Sequence, residues 1–125
     1  MILDTNALSA WAEGDPSIEP VLRSATEVVI PVIVLGEFDF GIRQSRHYQR
    51  YADWLDASLG SVEIAAIDRD VAHAYGAVRL ELKQAGTPIT INDTWIAAVA
   101  RQRGLPVVSR DIHFDSVPGV RRVAW

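Results

Sequence analysis

Met1-Ile-Leu-Asp-Thr-Asn6 is the stretch whose reading decides the fold. Three apolar residues end abruptly in a carboxylate, Asp4. Thr5 and Asn6 follow, both suited to cap a helix, and then comes Ala-Leu-Ser-Ala-Trp11. This reads as a short buried strand running straight into a helix, with Asp4 at the carboxyl end of the strand. In an open α/β sheet that edge is where ligands bind. A charge placed there is costly unless a cation meets it, so the reading turns on what else converges on Asp4.

Outward from that stretch, Glu13-Gly-Asp-Pro16 predicts a turn, and a short helix follows to about Ser24. Val28-Val-Ile-Pro31 predicts a second strand, Val32 to about Arg46 a helix, and Tyr48 to Leu59 another ending at Gly60. Val62 to Ile67 reads as a third strand. Asp68 caps a long helix from Arg69 to Ala85, stopped by Gly86 and Pro88. Thr90 opens a helix through Arg103, closed by Gly104 with Pro106 beyond. Leu105 to Ser109 and Val120 to Trp125 complete the strands. Short apolar strands alternating with helices predict a parallel sheet covered on both faces, in one domain spanning residues 1–125.

Composition narrows the function. Apolar residues make up 49% and charged residues 22% of the chain, as in an ordinary globular protein. No apolar run approaches the ~18 residues that span a bilayer, and no signal peptide precedes the first strand. Cysteine is absent, which excludes a disulfide framework and a thiolate metal site and leads us to expect a cytoplasmic protein. The net charge of −4 argues against bulk attraction to nucleic acid, so any such binding needs a local basic patch or metal ions.

Four acids stand out. Glu37 lies one turn into its helix, with Ile33, Val34, Phe40 and Gly41 at helical spacing, which predicts an apolar face; taken alone it could serve only the helix dipole. Asp93 fits a capping box with Thr90, yet Ile96, Ala97 and Ala100 share its face, so the carboxylate heads an inward stripe. Asp111 follows the fourth strand as Asp4 follows the first; a turn aspartate is the plain alternative. Asp115 reads as a turn or cap residue. If the four acids meet, neighbouring pairs ~5 Å apart repel by roughly 3 kcal/mol each at an effective dielectric near 20. Only protons or a cation make that tolerable. Oxygen ligands without Cys or His select Mg²⁺ or Mn²⁺, which suits phosphodiester hydrolysis.

These residues resemble the PIN-domain ribonucleases, and within them the VapC-type toxins of bacterial toxin–antitoxin pairs. Ile-Leu-Asp-Thr-Asn resembles the first motif, Val-Ile-Val-Leu-Gly-Glu-Phe with Gly41 the second, and Ile-Asn-Asp-Thr-Trp-Ile-Ala-Ala the third. Val-Val-Ser-Arg-Asp with His113-Phe114, Val-Pro-Gly-Val and Trp125 resembles the fourth. The resemblance implies a Rossmann-like three-layer α/β/α sandwich with a mostly parallel sheet of four to five strands. It implies a Mg²⁺-dependent endoribonuclease (Mn²⁺ substituting), an RNA substrate, a homodimer, and inhibition by a cognate VapB-type antitoxin. Asp4, Glu37, Asp93 and Asp111 become the acidic quartet, with Asp4, Asp93 and Asp111 as metal ligands and Asp115 standing as an alternative fourth acid. Ser109 takes a hydroxyl position suited to orienting water or phosphate.

Basic residues are read with the same two-sided weighing. Arg43 and Arg46 sit in the densest basic run and are candidate phosphate contacts beside Glu37, against solvated surface. Asp39 should pair with Arg43, Arg110 should offset Asp111, and Arg101 and Arg103 should favour their helix dipole. Trp54 and Trp95 read as core, and Trp11 as core or as a seat for an antitoxin segment. A receiver domain would need an acidic pair after the first strand and a lysine after a later one; the only lysine, Lys83, is mid-helix. A dehalogenase-type phosphatase would need Asp-x-Asp where this chain has Asp-Thr-Asn. No P-loop or Gly-x-Gly-x-x-Gly occurs. The remaining competitor is a non-catalytic PIN-like subunit of a DNA-binding regulatory complex.

Overall fold

A computed structural model describes residues 1–125 as a five-stranded sheet with helices on both faces. The strands are β1 (Ile2–Leu3), β2 (Val29–Pro31), β3 (Glu63–Ala65), β4 (Val107–Val108) and β5 (Arg122–Val123). The helices are α1 (Thr5–Glu13), α2 (Glu19–Arg23), α3 (Val32–Arg43), α4 (Tyr48–Ser58), α5 (Arg69–Ala85) and α6 (Ile91–Arg103), with 3₁₀ turns at Leu59–Ser61 and Ile112–Ser116. Every strand pairing is parallel, in the order β3-β2-β1-β4-β5.

That order is the key to the site. The chain steps from β1 to β2 to β3 in one direction, then returns past β1 to β4 and β5. Right-handed crossovers therefore lay the two sets of connecting helices on opposite faces. The reversal falls between β1 and β4, where Ile2 N–H donates to the Pro106 carbonyl at 2.8 Å and Asp4 N–H to the Val108 carbonyl at 3.3 Å. A crevice opens at such a switch point, beyond the carboxyl ends of the strands.

The strands are shorter than their apolar runs predict, because pairing ends where the chain turns into a helix. The three central strands are nevertheless buried, with Ile2, Leu3, Val29, Val107 and Val108 each 0% exposed, whereas Glu63 and Ile64 of β3 are exposed and β5 is half-buried. Two other boundaries move. The second helix begins only at Glu19, with Pro20 in its first turn, and α3 ends at Arg43, leaving Arg46 in the following turn. The core also draws on Val34, Phe38 and Ile42 from one face of α3, and on Ile96, Ala97, Val99 and Ala100 from α6.

Capping follows the sequence at α5 and α6. Asp68 accepts the Val71 N–H at 2.9 Å and Thr90 accepts the Asp93 N–H at 3.2 Å. Gly86 and Gly104 close the same helices at φ +71° and +66°, a conformation that any Cβ would strain. Asp68→Ala should lower the free energy of unfolding by about 1 kcal/mol, because one N–H of the first turn loses its acceptor. Urea denaturation with an unchanged slope reads this; no loss would show that the cap contributes nothing.

Candidate active site

Each acid reaches the switch-point crevice by its own local route. Asp4 leaves β1 still extended (φ −81°, ψ 177°), and its Oδ1 accepts the Ala7 N–H at 2.7 Å. Asp4 itself is therefore the cap of α1. Thr5 and Asn6, the expected caps, form the first helical turn instead. Capping fixes the carboxylate against the helix, 4% exposed, at the floor of the crevice.

Asp93 rises from the first turn of α6, half-buried above Ile96, Ala97 and Ala100, as its spacing predicts. Asp111 follows β4. Its N–H donates to Ser109 Oγ at 2.9 Å, and its Oδ1 accepts the His113 N–H at 2.9 Å and lies 2.8 Å from His113 Nδ1. Glu37 is half-buried on α3, on a different face from the one expected. The buried stripe is Val34, Phe38 and Ile42, while Phe40 is 68% exposed, so Glu37 borders the core without entering it.

All four carboxylates line one open cleft of about 550 Å³, together with Thr5, Asn6, Thr90, Ile91 and Asn92. They share the cleft without meeting: no three stand close enough to hold one ion as the side chains lie. Burial raises the Asp4 pKa, against the lowering effect of the Ser109 side chain and the Ala7 N–H; Asp93 and Asp111 raise it further by repulsion. Burial likewise raises Asp93, with Thr90 lowering it, Asp111 raising it and His113 lowering it. Thr5 Oγ1 is buried at the cleft wall with no hydrogen-bond partner. The cleft thus offers oxygen donors only, carries uncompensated negative charge and keeps one orphaned hydroxyl. That donor chemistry fits a hard divalent cation.

Several residues expected at the site are placed differently. Ser109 is fully buried and its hydroxyl is engaged with Asp111 and Asp4, so it positions the two acids and does not face water or phosphate. Arg43 is tied to Asp39 at 2.6 Å, as its i,i+4 spacing predicts, and neither it nor Arg46 lines the cleft. Asp115 is held away by a two-pronged bond to Arg122, at 2.9 Å on each arm, which lowers its pKa. Arg110 does not offset Asp111. It turns outward to Asp15 (3.3 Å) and Ser17 (3.1 Å), with its guanidinium 4.5 Å from the Trp125 ring. Arg101 and Arg103 pair with Glu81 and Glu63, each at 2.6 Å, where only a dipole role was expected.

Arg122 was not singled out by the sequence. It donates to the Ser109 carbonyl at 3.1 Å while gripping Asp115, so both ends of the Asp111 turn are anchored to β5. Arg110 ties the same turn to the α1–α2 loop. Nothing in the pattern Val-Arg-Arg-Val marks Arg122 for this task. Asn92 was not singled out and Asn6 was read only as a helix cap, although both line the cleft.

Comparison with known proteins gives a consistent answer. A family model described as PIN domain matches residues 1–120. Ribonuclease VapC5 of Mycobacterium tuberculosis is 31% identical over 98% of this chain and 90% of its own length. The tRNA(fMet)-specific endonuclease VapC of Salmonella typhimurium is 29% identical over 99% and 96%. The crystal structure of DNA-bound VapBC from Salmonella typhimurium superposes with a TM-score of 0.87 at 28% identity, covering 99% of this chain and 96% of that one.

Raised pKa values fix the sign of a stability effect. Asp4 is protonated more readily folded than unfolded, so its contribution favours folding below its unfolded pKa and is lost as pH rises through the folded one. Asp4→Asn keeps an oxygen for the Ala7 N–H and removes the charge. In metal-free buffer it should be more stable than the wild type at pH 7, with the gain shrinking toward zero below about pH 4. A stability difference that ignores pH would contradict the buried, self-repelling carboxylate.

Proposed function

The chain belongs to the PIN domain family, among its VapC-type ribonuclease toxins, and from that premise we propose a Mg²⁺-dependent endoribonuclease acting in the switch-point cleft. One observation carries the proposal: four carboxylates from four separate elements line a single cleft, and the most buried of them, Asp4, faces no lysine, arginine or histidine side chain. Selection for folding alone would not gather such a set.

Asp4, Asp93 and Asp111 would hold the ion, Mg²⁺ or Mn²⁺, with Glu37 across the cleft. Asp4 is fixed by its helix cap, and no three of the carboxylates stand close enough to share one ion as the side chains lie. When bound, such an ion activates water and offsets charge on the phosphate. The chain's own groups supply the rest. Glu37, half-buried and free of hydrogen bonds to the protein, would take a proton from the attacking water. Thr5 Oγ1, buried and unpartnered at the cleft wall, would donate to a carboxylate oxygen that turned toward it. Arg110 and Arg122 stay outside the cleft and hold the Asp111 turn still. The His113 imidazole, in contact with Asp111, sits at the rim, where a substrate would pass.

A VapB-type antitoxin is the proposed partner, since the structural relatives include VapBC complexes. Its seat would be the aromatic surface between α1 and α4. There Trp11 meets Trp54 edge to face at 5.0 Å, above the buried Phe38 of α3, which lies 6.2 Å from Trp54. Trp11 is half-buried, so it serves core and surface together. A homodimer completes the proposed assembly.

Purified protein should cleave single-stranded or structured RNA with Mg²⁺ or Mn²⁺ present. Asp4→Asn and Asp93→Asn should stay folded yet lose at least about 100-fold in rate, since they remove ligands outright. Mg²⁺ should raise the melting temperature of the wild type, and Asp93→Asn should blunt that response. A wild type inert toward RNA with Mn²⁺ and no antitoxin would favour the non-catalytic, DNA-bound regulatory subunit.

A further inference from the structure

Six of the twelve cationic side chains are paired: Arg23, Arg43, Arg101, Arg103, Arg110 and Arg122 each bind a carboxylate. Arg79 and Lys83 are among those left free, and they occupy a distinctive place. One helical turn apart on α5, they flank a groove of about 300 Å³ floored by Leu82, Pro88, Ile89 and Ile91. Ile91 lines this groove and the acidic cleft alike, and at 58% exposure it forms the ridge between them. An acidic depression and a basic one thus lie side by side across a single side chain.

Arg79 is oriented without being neutralised. It donates to the Tyr75 hydroxyl at 2.9 Å, and Tyr75 stacks on Trp95 with ring centroids 3.9 Å apart. A guanidinium steered by a phenol keeps its full charge for an incoming anion. The carboxylate cleft repels a polyanion, so a substrate strand needs cations next to it, and Arg43 and Arg46 do not line the cleft.

We propose that this groove is an RNA subsite, in which a phosphate neighbouring the scissile one sits between Arg79 and Lys83. The attached sugar and base lie along Pro88 and Ile91. The assignment rests on the ribonuclease reading above, which supplies the strand in the adjacent cleft. Phosphate contacts of this kind position a strand without reading its sequence, so the subsite sets affinity and register.

The test uses full-length protein and a 5′-fluorescein single-stranded RNA of mixed sequence, with binding followed by anisotropy in EDTA across a salt series. Arg79→Gln/Lys83→Gln should weaken binding at low salt by about 10-fold or more. It should also flatten the slope of log affinity against log salt by about 0.7 to 1.4, the equivalent of one or two single-strand phosphates. With Mg²⁺ restored, KM should rise while kcat holds, and Arg79→Lys should recover most of the loss. Arg69→Gln/Arg121→Gln, which removes two unpaired cations that line neither depression, should leave affinity and slope unchanged. Equal affinity and slope in the Arg79/Lys83 variant and a cleaving wild type would overturn the subsite and leave the ribonuclease reading standing. A wild type that cleaves no RNA would overturn that reading, and the anisotropy series would still decide the groove. If a fluorescent oligoglutamate peptide, and not the RNA, lost binding in the variant, the groove would belong to an acidic protein segment and the proposal would fall.

Discussion

A single hydrogen bond, from the Ala7 N–H to Asp4 Oδ1 at 2.7 Å, joins the fold to its chemistry. It caps the first helix, and in doing so it pins a carboxylate at the floor of the crevice. An aspartate free to turn would carry its charge out to water. Here the helix needs an acceptor at that point, so the charge stays where solvation is poor. Ser109 carries the constraint across to the next strand, bonding to the Asp111 N–H and lying against Asp4. Of the three buried polar residues, Asp4, Thr94 and Ser109, two belong to this linkage.

The rest of the site is arranged around that fixed point with graded rigidity. Asp111 is immobilised through its neighbours, with Arg110 reaching one way to Asp15 and Arg122 reaching the other way to the Ser109 carbonyl and Asp115. Arginine suits both tasks because its planar fork can satisfy several acceptors at once. Asp93, engaged by the Thr90 side chain alone, and Glu37, with no hydrogen bond to the protein, are less constrained. Two held acids and two freer ones would allow the cleft to close around a proposed ion and reopen for product. The parallel order β3-β2-β1-β4-β5 makes the arrangement possible, since it alone brings the ends of β1 and β4 side by side.

Much of this was legible in the sequence because local rules and tertiary demands agreed. The apolar run before Asp4, the caps at Asp68 and Thr90, and the glycines at 86 and 104 all signal their elements directly. The fold class followed from those signals, and the four acids from their strand-end and helix-turn positions taken together with the family resemblance. The failures occurred where side chains act over long separations in the chain. Arg101 meets Glu81 and Arg110 meets Asp15, and no spacing rule links either pair. Arg122 carries no motif, yet it holds the Asp111 turn. Ser109 was expected from the family resemblance to orient water or phosphate, but the end of β4 that carries it is fully covered. Phe40 misled by hydrophobicity alone: it lies on the exposed side of α3, and the core stripe is two residues out of step with it.

The central claim is that buried repulsion at Asp4 is relieved by a divalent ion shared with Asp93 and Asp111. Crystals soaked in Mn²⁺ test it most directly through anomalous scattering. The expected result is a peak in the cleft about 2.0–2.3 Å from an Asp4 carboxylate oxygen and from at least one oxygen of Asp93 or Asp111. A peak bound only outside the cleft, or an Asp4 carboxylate with no ion beside it at saturating Mn²⁺, would contradict the claim.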